Sequence, residues 1–119
     1  KTYFTNIQKG AKKRKLEFTI TIEFCQRLLE QQQHKCAISG VEIYASKNGL
    51  NKKRSTYKEQ TASLDRIDNL KGYTEDNVQW VHKYVNKMKW NLTDNELIYF
   101  CRQIANYQDQ KLTLFRPYK

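Results

Sequence analysis

The chain has little that would fix a small fold from outside. Its cysteines are an odd number, Cys25, Cys36 and Cys101, at wide spacing and without a CxxC pair. That argues against a disulfide framework and for a reducing, cytoplasmic setting, with Cys25 and Cys101 read as buried helix positions. No apolar run approaches the roughly 20 residues of a membrane span, and the basic, aromatic N-terminal stretch lacks the apolar region of a secretory leader. Acid is also scarce. Twelve Asp and Glu face 22 Lys and Arg across 119 residues, a formal net charge of +10. Such an excess favours a polyanion as partner, nucleic acid ahead of a membrane surface.

What is present reads as one domain in three parts: a basic arm and helix over 1–32, a core over 34–92, and a C-terminal helix and tail over 93–119. Residues 1–15 hold no acid, and Tyr3, Phe4 and Ile7 fit one helix face. Lys12, Lys13, Arg14 and Lys15 are candidates for phosphate contact, the alternative being a solvated tail. Leu16, Phe18 and Ile20 alternate as a short extended piece, and Thr19 or Thr21 can cap a helix running to about Gln32. Ser39-Gly40 reads as a turn between two short strands. Residues 45–62 form a polar loop whose Lys52, Lys53 and Arg54 suit a nucleic-acid-facing surface. Ala62, Leu64 and Ile67 mark another strand. Val78, Val81, Val85 and Met88 predict one amphipathic helix over Asn77–Trp90. A last helix, capped by Thr93 or Asp94, would turn Leu97, Ile98, Cys101 and Ile104 inward.

The most informative string is Leu64 to Lys89, LDRIDNLKGYTEDNVQWVHKYVNKMK. Asp65 at a strand end and Asn86 on a following helix could together hold one hard cation, since magnesium-type ions take carboxylate and amide oxygens and keep places for phosphate and water. Mg2+ or Mn2+ is the expected cofactor, and such an ion stabilises charge building at a phosphodiester. Asn77 reads as a cap or loop brace, a role that would aim Asp65. Asp68-Asn69 reads as a turn.

This string resembles the HNH (ββα-metal, His-Me finger) endonucleases. The match is Asp65-Arg66, then Asn77, then Asn86 nine residues on, with Lys89 where the family often has lysine. Cys36-Ala-Ile-Ser-Gly40 and Lys71-Gly-Tyr73 add to it, and the resemblance covers about residues 34–92. It implies an α+β fold with a small ββα-metal core and flanking N- and C-terminal helices. It also implies a metal-dependent endonuclease, of restriction or phage type, acting on double-stranded DNA. Asp65 and Asn86 would hold the metal, and Lys71 and Lys89 would join the DNA contacts. Two cuts in a duplex require two sites, so a homodimer is one expectation.

The chain departs from the family at two points. Arg66 stands where the family places its general-base His. Arginine is a poor base but a good phosphate clamp. The base would then be His34, Tyr44, Tyr57 or a water without a side-chain base. His82 is open between third metal ligand, phosphate donor, base and a bland boundary residue of the helix. The places of the family's zinc-binding pairs hold Cys36, Ser39, His82 and Val85, too few ligands for a closed tetrahedral site, so no structural zinc is expected. Two other readings stand beside the nuclease: an HNH-fold nucleic-acid-binding module with weakened catalysis, and a basic domain for an acidic protein partner.

Overall fold

The computed structural model describes residues 2–45 and 60–115, with side chains for 3–45 and 60–111. The order is α1 (Thr2–Lys13), α2 (Ile22–Gln31), β1 (Ala62–Arg66), β2 (Val78–His82), α3 (Lys83–Lys89) and α4 (Asp94–Phe115). Lys52, Lys53, Arg54 and Tyr57 lie outside the described residues.

The basic N-terminal stretch is helical because Tyr3, Ile7 and Ala11 repeat at the spacing of one helix face. That face packs inward: Ala11 is fully buried, the Phe4 ring meets Phe18 edge-on at 5.4 Å, and Tyr3 stacks on Trp80 at 6.2 Å. Lys12 and Lys13 fall in the last turn, where cations complement the helix dipole. Phe18 bridges Tyr73, which makes 16–20 extended as its alternation predicts. Thr21 caps α2 through its hydroxyl, 3.0 Å from the Phe24 N–H, and Cys25 and Leu29 turn into the core. The Cys36–Glu42 region folds back on itself around Gly40, with Lys35 bridging Glu42.

The stretch 77–90 differs from the single helix its periodicity predicts. Residues 78–82 form β2, paired antiparallel with β1 in the register Leu64 to Trp80 and Asp65 to Gln79. Val78, Trp80 and Val81 are β-branched or aromatic and suit a pleated surface, and strand pairing overrides the helical spacing. The helix starts only at Lys83, capped by His82, whose Nδ1 accepts from the Tyr84 N–H at 3.1 Å. His82 and Asn86 therefore do not sit on successive turns of one helix; His82 ends the strand.

Leu64 and Trp80 form a pair that exchanges no backbone hydrogen bond, so their polar groups point outward from the hairpin. The Leu64 N–H donates to the Tyr3 hydroxyl at 2.8 Å. On the outer edge of β2, the Gln32 side chain acts as a surrogate strand: its Oε1 accepts from the Trp80 N–H and its Nε2 donates to the Trp80 carbonyl, both at 2.9 Å. The Trp80 indole N–H reaches the Cys25 carbonyl at 2.9 Å. Helices α1 and α2 are thus stapled to the hairpin through a tyrosine, a glutamine and a tryptophan.

Helix α4 opens with a reciprocal cap between Thr93 and Glu96, and Leu97 seats its first turns. Beyond that it leaves the body. Every side chain from Arg102 to Lys111 is exposed, and Ile104, predicted to point inward, is 61% exposed. Met88 likewise faces out. Among the described residues no helix is long and apolar enough to cross a membrane.

Candidate functional site

Alternation along β1 sorts the central residues onto two faces. Ser63 and Asp65 face α3, whereas Leu64 and Arg66 face the opposite side. On α3, Asn86 and Lys89 are three residues apart and share a face. The two rows meet: Asn86 Nδ2 donates to Ser63 Oγ at 2.7 Å, and Lys89 Nζ donates to Asp65 Oδ2 at 2.6 Å. The structure thus brings the expected pair, Asp65 and Asn86, to adjacent contacts between one strand and one helix.

Asp65 is held more firmly than its sequence context suggests. It is buried, and Oδ2 accepts a second hydrogen bond, from Gln79 Nε2 at 2.9 Å. Gln79 Nε2 also reaches Asp94 Oδ2 at 3.1 Å. Asp94 Oδ1 lies 2.8 Å from Lys89 Nζ as an ion pair without hydrogen-bond alignment. The same Nζ donates to the Arg66 and Ile67 carbonyls. Burial disfavours the Lys89 ammonium, but its hydrogen bond to Asp65 and its close ionic contacts with Asp65 and Asp94 outweigh this and raise its pKa above the ordinary 10.5. Two carboxylates share one ammonium, which leaves the cluster with a unit of negative charge.

Lys89 was expected on DNA phosphate. It is instead 2% exposed and fixed between β1, α3 and α4. Gln79 and Asp94 were missed as parts of the site. The signal for Gln79 lies in the hairpin register, which places it opposite Asp65 and which a helical reading of 77–82 hides, whereas Asp94 arrives with the start of α4.

The loop from 67 to 77 hangs on two side chains. Asn77, buried, accepts from the Asp68 N–H at 2.9 Å and donates to the Asp68 and Gly72 carbonyls at 3.1 and 2.8 Å. It closes the loop before β2 and does not open a helix. Arg66 Nη1 donates to the Asn69 and Lys71 carbonyls, both at 2.8 Å, and the guanidinium lies over the Tyr73 ring at 5.4 Å. Arg66 therefore points away from Asp65 and braces the loop; its Nε and Nη2 remain as further donors. Asp68 Oδ1 accepts from the Leu70 N–H, the turn expected of Asp68-Asn69.

The other candidates lie around this centre. His34 is exposed at φ 58°, and its carbonyl pairs with the Ile43 N–H. The Tyr44 carbonyl accepts from Thr61 and Ala62 at the start of β1, and its hydroxyl donates to Glu42 Oε1 at 3.1 Å. The His82 ring rests against Tyr84, with Nδ1 engaged in capping. Lys12, Lys13, Arg14 and Lys15 are exposed at the end of α1, and Lys15 and Lys71 line a shared shallow groove of about 500 Å³. Burial pushes the Cys36 thiol up, but the Ser39 hydroxyl and the N–H groups of Ser39, His82 and Ile38 outweigh it and hold it below its ordinary value. Among the described residues no three His, Cys, Asp or Glu side chains gather as a metal cluster.

No family model matches the chain, and no curated protein matches it. A solved structure does. The rare-cutting HNH restriction endonuclease PacI, described as perturbing DNA, superposes with a TM-score of 0.60 over 92% of this chain and 79% of that chain, at 19% identity. The fold is HNH-like. In this HNH-like frame β1, β2 and α3 are the ββα unit, and α1, α2 and α4 surround it.

Proposed function

We propose that this chain is a divalent-metal-dependent DNA endonuclease. The observation that supports it best is the meeting of Ser63 and Asp65 on β1 with Asn86 and Lys89 on α3, within an HNH-like fold. The donor set fits a hard cation. Asp65 has one oxygen held by Lys89 and Gln79 and the other left to ligate, and the Asn86 nitrogen is occupied by Ser63, which leaves its amide oxygen as the ligand atom. The residual negative charge of the cluster also favours a cation. Mg2+ or Mn2+ held by Asp65 and Asn86 would supply electrostatic stabilisation to the charge developing on a phosphodiester.

The chain's own groups divide the remaining work. Lys89, Gln79 and Asp94 fix the Asp65 carboxylate. Asn77 and the Arg66 Nη1 group fix the loop that follows it, and the remaining Arg66 donors, on the face away from Asp65, would meet a flanking phosphate. Lys12, Lys13, Arg14, Lys15 and Lys71 would neutralise the DNA backbone, a sequence-independent and salt-dependent contribution. Tyr44, tethered at the head of β1, and His34, paired with the residue before it, are the candidates to take a proton from water.

The test is nicking of supercoiled plasmid with Mg2+ or Mn2+. Asp65→Ala and Asn86→Ala should abolish nicking while DNA binding without metal persists. Equal cutting by the parent and both variants would refute the assignment. Salt-sensitive duplex binding with no nicking under any divalent ion would instead identify a binding module.

A further inference from the structure

Trp90 occupies a backbone position that a tryptophan rarely takes. It follows α3 directly, at φ 48° and ψ −116°. The Leu92 N–H closes back on the Lys89 carbonyl at 2.7 Å. Those angles and that bond define the first central residue of a type II′ turn, a place dominated by glycine because a Cβ is strained there. Nothing in the core compensates: the side chain is 78% exposed. A large aromatic is thus held in strained backbone and shown to solvent, a combination that points to a contact made outside the molecule.

Its surroundings are rigid on both sides. Lys89, the residue before, is buried in the Asp65 and Asp94 ion pairs. Asn91, the residue after, accepts from Asn69 Nδ2 at 3.3 Å. That bond draws the turn beside the loop carrying Leu70, which is 87% exposed and immobilised through the Asp68, Asn77 and Arg66 contacts. Trp90 and Leu70 are thus exposed apolar residues of the two segments that follow Asp65 and Asn86 in the chain, and the Asn69–Asn91 bond ties those segments together. Both stand in solvent on a chain of net charge +10, and Trp90 directly follows Lys89, whose ammonium holds Asp65.

We propose that Trp90, flanked by Leu70, stacks on a nucleic-acid base beside the phosphate presented to the Asp65–Asn86 site. The proposal rests on the nuclease reading, and it names the partner of a patch that charge alone leaves unexplained. An unpaired or unstacked base offers a flat apolar face to an indole whatever its identity, and the polyanionic backbone supplies the attraction that brings that face to a basic protein. The contact therefore holds the strand without selecting sequence.

The experiment compares parent, Trp90→Gly, Trp90→Phe and Leu70→Ala for affinity to single-stranded DNA and to a duplex with an unpaired base, both without divalent ions, and for plasmid nicking with Mn2+ and thermal stability. Glycine suits the turn, so Trp90→Gly should melt at or above the parent temperature while its affinity falls about tenfold. Trp90→Phe should keep most of the affinity, and Leu70→Ala should lose part of it. Of the two tryptophans in the chain, Trp80 is buried and Trp90 exposed, so saturable quenching of emission by DNA should vanish in Trp90→Gly. Unchanged affinity in Trp90→Gly, or a lower melting temperature showing that the indole serves the fold, overturns the proposal even where the parent binds and nicks. A parent that neither binds nor nicks DNA overturns the nuclease reading, and this proposal with it.

Discussion

Lys89 Nζ stands 2.6 Å from Asp65 Oδ2 in a pair almost closed to solvent, and the same ammonium lies 2.8 Å from Asp94. One lysine thereby connects the strand end, the short helix after β2 and the start of the terminal helix. Buried pairs of this kind contribute little net stability against an apolar substitute, yet breaking one is costly because a charge is left without its partner. The value of this triad lies in position: it prevents the Asp65 carboxylate from swinging.

Replacing the ammonium should expose that cost. Lys89→Met leaves the buried Asp65 and the half-buried Asp94 without a counter-charge and should destabilise the fold by about 3 kcal/mol, read from urea unfolding. Millimolar Mn2+ should raise the melting temperature of Lys89→Met more than that of the parent, because a cation at Asp65 supplies charge the lysine no longer does. An equal ion response in the two proteins would mean that the cluster does not attract divalent cations.

The same ammonium sets a pH dependence. Its folded pKa is raised above the ordinary 10.5, so as pH climbs the unfolded chain gives up its lysine proton first. The stabilisation is complete below that ordinary value and disappears as pH rises through the higher folded one. The stability gap between parent and Lys89→Met should therefore hold steady from about pH 7 to about pH 10 and shrink above it. A gap that closes in the neutral range would assign the effect to another group.

Gln32 gives a prediction at the edge of the sheet. Its amide satisfies both backbone groups of Trp80, but the Trp80 carbonyl also accepts from Ala37 at 2.9 Å, whereas the Trp80 N–H depends on Gln32. Gln32→Ala should cost about 1–3 kcal/mol for the orphaned donor and leave β2 open to edge pairing. Gln32→Glu keeps the acceptor for the Trp80 N–H but sets a carboxylate oxygen against the Lys35 and Trp80 carbonyls that the Gln32 amide nitrogen now serves, so it should recover only part of the loss at neutral pH. Thermal melts and light scattering of the two variants provide the check.

The residues show where sequence reading stops. The capped helices, the extended 16–20 stretch and the Asn77 loop brace were legible, since caps, alternation and short-range hydrogen bonds are local in the chain. β2 was not, because valines at 78, 81 and 85 satisfy a helical period while Val78 and Trp80 satisfy a strand one, and only pairing with β1 decides between them. The Asp65 and Asn86 candidates could be named from spacing. Gln79, Asp94 and the burial of Lys89 could not, because they follow from strand register and from the approach of α4. Trp90 ends an amphipathic pattern in the sequence, and its turn conformation follows only from the way the chain leaves α3.

Two glycines should respond in opposite directions to the same change. A Cβ at Gly72 would stand 2.4 Å from the Glu17 carbonyl oxygen and 2.6 Å from its nitrogen, both backbone atoms that no rotamer change can move. Relief requires parting the Tyr73 N–H from the Glu17 carbonyl, now 2.7 Å apart, and with it the bridge from Phe18 to Tyr73. Gly72→Ala should therefore lose about 1–3 kcal/mol or more, and it should slow any nicking because Arg66 braces the neighbouring Lys71 carbonyl. At Gly10, within α1, the nearest atom to a new Cβ is the flexible Arg14 Nη1 at 3.5 Å. Gly10→Ala should gain about 0.5–1 kcal/mol from helix propensity alone. Chemical denaturation of the two single variants checks both signs, and a Gly72→Ala protein as stable as the parent would show that residues 16–18 do not pack on the loop.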